Sequence, residues 1–203
     1  MPFSSRFINI LNKSVLNMSE VHAIKDPNTI KLMSILLSKR YGQQIADVWD
    51  VGVNVALRIS DLLSIRFDDI DEDKLLVRES KTGKIARIAL NQRALEIVNR
   101  IKTTHPTHDY VFQSHRSRFV INKQPRQLSR RIVSKAFQEV GQELGIALGT
   151  HSMRKTRGYH LYKQTNDIAR VMKMLRHSSQ AQTLRYIGIT QQDIDADFRH
   201  LVL

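Results

Sequence analysis

Over most of the 203-residue chain the apolar positions recur at helical rather than alternating intervals, which predicts a mainly α protein. The stretch Gln44 to Ile65 carries Ile45, Val48, Trp49, Val55, Ile59, Leu62 and Leu63, the pattern of buried helix broken near Leu57 to Ser60. Between Lys74 and Leu90 the spacing changes: Leu75, Val77, Ile85 and Ile88 lie in short runs around Lys81-Thr82-Gly83-Lys84. That segment reads as a small antiparallel β-hairpin turning at Gly83. Helical spacing returns at Gln92 to Lys102, Gln127 to Leu144, Ser152 to Lys163 and Asp167 to Leu175. A last short helix is expected after Thr190, whose spacing to Asp193 suits a capping box.

Some polar residues interrupt this pattern. Arg58 stands inside Val55-Ala56-Leu57-Arg58-Ile59-Ser60-Asp61-Leu62-Leu63, where a charge needs a partner. Asp61, three residues on, is the expected one. The pair is then either purely structural, or Asp61 steadies a guanidinium fork that grips a phosphate. His151 and Arg154 share one face of a beginning helix, with Thr150 as its expected N-cap. An imidazole beside an arginine at a helix N-terminus suits proton transfer and anion binding, although the spacing alone is common. His177 follows a helix, and Tyr186 lies in Thr183-Leu184-Arg185-Tyr186-Ile187-Gly188. A tyrosine ionises only near pH ~10, so a nucleophilic role for it requires neighbouring cations.

Charge adds a partner to the picture. The chain holds 32 Lys+Arg against 19 Asp+Glu, a formal net charge of +13. The basic residues are clustered. Tyr110 to Gln138 contains Arg116, Arg118, Lys123, Arg126, Arg130, Arg131 and Lys135 without an acid, while the acids crowd into Asp68 to Asp73. Either basic run alone is an ordinary solvated face. Together with the run from His151 to Arg185, they point to a phosphate-binding surface and so to nucleic acid. Arg116, Arg118, Lys123, Arg126, Arg130, Arg131 and Lys84 are the candidate DNA contacts. The absence of cysteine excludes disulfides, thiolate nucleophiles and Cys-based zinc sites. His151, His160 and His177 lack a zinc-binding spacing, so no metal site and no cofactor are expected. No stretch is apolar over the ~18 residues needed to span a bilayer and no leader pattern opens the chain, which predicts a cytoplasmic protein without a membrane partner.

The ordered pieces resemble the catalytic domain of the tyrosine recombinases, the lambda-integrase-like DNA breaking and rejoining enzymes. They are an arginine in L-R-I-S, a hairpin lysine, H-x-x-R, a histidine in L-x-H-S-S, and a tyrosine. The resemblance runs from about Ile24 to the C-terminus. It implies a mainly α fold with a small antiparallel sheet, and chemistry shared with type IB topoisomerases. It makes Arg58 and Arg154 a phosphate clamp, Lys81 the general acid, Tyr186 the nucleophile, His151 a proton-transfer aid and His177 a phosphate ligand. Lys84 rivals Lys81. The family usually has glycine where this chain has Arg176.

The resemblance implies residues 1–23 as a short extension and 24–203 as the catalytic domain, with no separate N-terminal core-binding domain. The chain is then either a minimal recombinase, of the size of the fimbrial-switch invertases, or one assisted by an accessory DNA-binding protein. The expected partners are double-stranded DNA and, on synapsed DNA, a homotetramer that is a monomer or weak dimer when free. The segment Thr190 to Leu203 is the candidate contact between protomers, with self-packing of Ile194, Phe198, Leu201 and Leu203 as the alternative. Two other readings compete. One is a DNA-binding regulator that keeps the fold without strand exchange. The other is a metal-dependent nuclease, which would want carboxylates among the basic runs.

Overall fold

A computed structural model of the chain describes residues 21–115, 124–200 and 202. Helix α1 (Pro27–Tyr41) starts where Asp26 accepts the N–H groups of Asn28 and Thr29, with proline in the first turn. The chain turns at Gly42, at φ 90°, into α2 (Gln43–Val55). That helix stops at Ala56, which adopts the left-handed conformation at φ 53°, and α3 (Ile59–Leu63) follows. The expected break therefore lies at Ala56 to Arg58. A single turn of tighter helix at Phe67–Asp69 leads into β1 (Ile70–Asp71), β2 (Lys74–Arg78) and β3 (Ile85–Ala89). These form an antiparallel sheet in the order β1-β2-β3, with Leu75 opposite Ile88 and Val77 opposite Ala86. The β2–β3 hairpin is the expected one, and β1 adds a two-residue strand too short to show an apolar alternation.

The remaining helices are α4 (Gln92–Thr104), α5 (Arg130–Glu143), α6 (Ser152–Thr165), α7 (Ile168–Leu175), α8 (Gln180–Ile187) and α9 (Gln191–His200). Half of the expected capping box forms at the start of α9: Thr190 N–H and Oγ1 donate to Asp193 Oδ2 at 2.7 and 2.8 Å, while the Asp193 N–H bonds to the Thr190 carbonyl at 3.1 Å rather than to its hydroxyl. Helices α1 and α8 were not foreseen. The cap of α6 differs from expectation as well: His151, not Thr150, is the capping residue. The physical reason is a turn at Gly149, whose carbonyl takes the Ser152 N–H at 2.9 Å, while His151 supplies the first helical carbonyl to Lys155.

Helix α2 lies at the centre, packed against α1, α4 and α6. Trp49 meets Phe137 of α5 edge to face at 5.3 Å between ring centroids. Two carboxylates of α2 are buried, and each is answered by an arginine of α4: Asp47 by Arg100 at 2.6 Å and Asp50 by Arg93 at 2.7 Å. A second apolar cluster joins Ala56, Val171, Leu175 and Ile187, with Tyr159, Tyr162 and Tyr186 against it. Gly158 lets α8 lie directly on α6, since a Cβ there would stand 2.7 Å from Ile187 Cγ2. That close approach carries Tyr186 to the first turn of α6. Among the described residues no helix is long and apolar enough to cross a membrane.

Candidate active site

Arg58 stands at the start of α3, where the chain has just left the left-handed turn at Ala56. Its expected partner was Asp61, and the structure corrects that pairing. Arg58 donates to Glu79 Oε1 at 3.0 Å, while Asp61 Oδ1 accepts the backbone N–H and hydroxyl of Ser80 at 2.9 and 2.7 Å. The reason is tertiary: the end of β2 folds over α3 and brings Glu79 and Ser80 to the two side chains. Asp61 thus anchors the hairpin rather than the arginine.

Glu79 is fully buried at 0% exposure and is also the partner of Arg176, whose Nε and Nη2 both lie 2.7 Å from Oε1. Thr82 donates to its other oxygen at 2.8 Å. Arg176 caps α7 in the left-handed region at φ 52°, a conformation in which glycine is unstrained and an L side chain costs about 1 kcal/mol. The ion pair offsets that cost and places a third cationic side chain at the site. Sequence reasoning missed Glu79 altogether; its only signal was a lone acid at the end of a strand beside Lys81.

Burial raises the Glu79 carboxyl, but hydrogen bonds from Thr82 and Arg176 and the charges of Arg176 and Arg58 outweigh it and hold the group below its ordinary value of 4.5. A depressed folded value stabilises the fold above the unfolded one and loses that contribution as pH falls through the folded one. Urea titrations are therefore expected to show a constant stability gap between wild type and Glu79→Gln above pH 4.5, narrowing only below it.

Arg154 is 2% exposed, and its guanidinium donates to the carbonyls of Ala56 and Leu175. It thereby ties the left-handed turn before Arg58 to the end of α7, and a guanidinium carries more donors than those two carbonyls use. Tyr186 is half-buried beside it, with its hydroxyl 3.3 Å from His151 Nδ1. The His177 ring packs edge-on to Tyr186 at 5.0 Å, and Lys155 Nζ lies 5.3 Å from the phenol ring centre. Burial raises the phenol above its ordinary value of 10.0, and the charges of Arg154 and Arg58 with a hydrogen bond from Arg154 reduce that rise without cancelling it. His151 has one edge in solvent and the other on Tyr186. Its partial burial, then the charges of Arg130, Arg154, Lys155 and Arg58, hold it below 6.5, so it is neutral at neutral pH. Burial first and the two arginines after it do the same to His177, whose Nδ1 meets Thr183 Oγ1 at 3.2 Å and leaves Nε2 available.

The structure therefore gathers Arg58, His151, Arg154, His177 and Tyr186. Lys81 and Lys84 are exposed on the hairpin turn, and among the described residues neither side chain has a hydrogen-bond or ionic partner. The turn is nevertheless tethered to the site through Glu79, Ser80 and the Gly83 N–H, which donates to the Glu79 carbonyl at 2.8 Å. Of the candidate DNA contacts, Arg126, Arg130 and Arg131 are exposed, the last two opening α5, and the charge of Arg130 reaches His151. Arg116, Arg118 and Lys123 lie outside the described residues. Lys155 is a site member that the sequence reading counted only as part of a basic run.

The family model described as "Phage integrase family" matches residues 27–193. Among known proteins, the chain is 37% identical over 149 residues to "Probable integrase/recombinase YoeC" of Bacillus subtilis, covering 73% of this chain and 79% of that one. It is 29% identical to "Tyrosine recombinase XerA" of Pyrococcus furiosus over 141 residues, 68% of this chain but 48% of that one. The chain thus spans about half the length of that relative. Among solved structures, a XerA recombinase superposes with a TM-score of 0.68 at 16% identity, covering 91% of this chain and 66% of that one. A lambda integrase dimer bound to a COC' core site gives 0.62 at 20% identity, covering 85% and 62%. These likenesses establish the fold, mainly helical with a small antiparallel sheet.

Proposed function

We infer, because the chain belongs to the phage integrase family, that it is a tyrosine-type site-specific recombinase. It cleaves and rejoins DNA through a 3′-phosphotyrosyl intermediate and uses neither a metal ion nor ATP. The observation that carries this reading is the Tyr186 hydroxyl, 3.3 Å from His151 Nδ1 and under the charges of Arg154 and Arg58.

In the proposed reaction the Tyr186 oxygen attacks the scissile phosphorus, and the phenol proton passes to neutral His151. Arg58 and Arg154 neutralise the charge that develops on the nonbridging oxygens, with His177, drawn into its protonated form by the phosphate anion, donating from Nε2 to one of them. The bond to the 5′ oxygen breaks, and Lys81 protonates that leaving group; Lys84 is its neighbour for the same task. Reversal with a different 5′ hydroxyl rejoins the strand, since the phosphotyrosyl link keeps the energy of the broken bond. Glu79 and Asp61 are positioning residues, Glu79 through the two arginines it holds and Asp61 through the Lys81 hairpin.

Residues 24–203 are the proposed catalytic domain. The N–H of His22 donates to the Ala147 carbonyl at 3.0 Å and that of Ile24 to Thr156 Oγ1 at 2.9 Å, so the first described residues already pack on this domain. The partner is double-stranded DNA, held through Arg126, Arg130 and Arg131 and, by the sequence, Arg116, Arg118 and Lys123. Four protomers act on two duplexes in the cytoplasm. Phe198 and Val202 are 82% and 89% exposed, which supports a C-terminal segment available to a neighbouring protomer.

The test is a nicked suicide duplex carrying the recombination site, from which wild-type protein is expected to form a denaturation-resistant adduct, with or without EDTA. Failure to form any adduct on its cognate site would refute strand exchange. The pH profile of adduct formation gives a further expectation. Because His151 titrates below 6.5, its acid limb should fall below that pH and be displaced or lost in His151→Asn. An acid limb identical in the variant would remove His151 as the proton acceptor.

A further inference from the structure

We propose that His105, His108 and His115 form a binding site for a divalent transition metal of the zinc type, apart from the Tyr186 centre. The segment His105-Pro106-Thr107-His108 closes into a turn, the His108 N–H donating to the His105 carbonyl at 3.2 Å. The turn sets two imidazoles on one side, stacked at 4.5 Å with 6° between their planes. The chain then pairs Tyr110 with Arg66, and the Gln113 amide oxygen accepts the Asp109 N–H at 2.9 Å. This path returns His115 to the pair, its ring 4.5 Å from His105 and 4.9 Å from His108. One ligand-capable atom from each of the three lies within 4.8 Å of the others.

An independent observation points the same way. His108 Nδ1 is buried and has no hydrogen-bond partner among the described residues. A buried ring nitrogen left unsatisfied is costly, and a metal ion satisfies it. Three imidazole nitrogens without a thiolate suit zinc, copper or nickel rather than calcium or magnesium. Gln44 Nε2 donates to the Gln113 carbonyl at 2.6 Å and lies 3.1 Å from His115 Nε2, which holds His115 beside the pair; the amide must give up that nitrogen when an ion binds. Zinc takes imidazole at about 2.0–2.1 Å in a tetrahedron, so the stacked pair must splay by side-chain rotation to share one ion. The ion would pin the end of α4 to the segment that leads into Arg116, at the threshold of the basic run.

The site goes beyond the recombination reading, and its test involves no DNA, so either can fail without the other. Chelator-treated full-length protein is titrated with Zn2+ by calorimetry and with Co2+ by visible absorption. One ion per chain is expected, with the intense absorption of tetrahedral Co2+. His115→Ala, at an exposed position, is expected to weaken Zn2+ binding at least tenfold and to abolish the zinc-dependent rise in melting temperature seen in wild type. His177→Ala should leave Zn2+ affinity unchanged. Stoichiometric binding that His115→Ala leaves intact, or no stoichiometric binding to wild type, would overturn the site and leave three imidazoles that merely pack together. Circular dichroism of His115→Ala matching wild type ensures that lost binding reports a lost ligand.

Discussion

Tyr186→Phe is expected to bring adduct formation on the nicked duplex below detection, a loss of at least ~10^4-fold, because the attacking oxygen itself is removed. The variant should fold and bind DNA as wild type does. Its ring still packs against the Ala56, Val171, Leu175 and Ile187 cluster, and the hydroxyl contributes only its bonds to His151 and Arg154. The expected stability change is within about 1 kcal/mol. Loss of the adduct alongside intact binding separates a nucleophile from a structural tyrosine. An adduct that persists in Tyr186→Phe would place the covalent link elsewhere and sink the mechanism.

Glu79→Gln is expected to have the largest effect on stability. The carboxylate is buried and faces Arg58 at 3.0 Å and Arg176 at 2.7 Å. Neutralising it leaves two guanidinium groups close together with no counter-charge. Breaking a buried pair in this way costs about 3 kcal/mol. At about 2–4 °C per kcal/mol for a chain of this size, the melting temperature should fall by roughly 6–12 °C. Strand cleavage should fall too, since Arg58 loses the bond that aims it. The effects of Glu79→Gln and Arg176→Gly are expected to be non-additive. Removing Arg176 relieves both the repulsion and the left-handed strain at that position, so the double variant should recover part of the stability lost in Glu79→Gln. Additive melting shifts across the cycle would show that the two side chains do not share one ion-pair cluster.

The departure at Arg176 takes on a physical meaning in this light. The left-handed cap at the end of α7 would suit glycine, yet this chain spends an arginine there and recovers the cost through Glu79. The site therefore holds Arg58, Arg154 and Arg176 around one buried carboxylate and one tyrosine.

What the sequence determined by itself were the features whose causes are local. Helical spacing of Ile45, Val48, Trp49 and Val55 marked α2, Gly83 marked the hairpin turn, and the Thr190 and Asp193 spacing marked the start of α9, because caps, turns and periodicity act within a few residues. The order of Arg58, His151, Arg154, His177 and Tyr186 was legible for the same reason, each lying in a short readable motif. Helix α1 was not, since only Met33 and Leu37 of its face are buried and its hydrophobic and polar faces are poorly separated. Helix α8, short and polar, offered even less. Tertiary structure alone decided the partners. The nearest acid in sequence made Asp61 the expected partner of Arg58, but the hairpin folds back to deliver Glu79 from 21 residues away. His105, His108 and His115 likewise meet only because a turn and the pairing of Tyr110 with Arg66 return the chain on itself. Long-range contacts are set by how elements pack, and side-chain spacing along the chain carries no record of that.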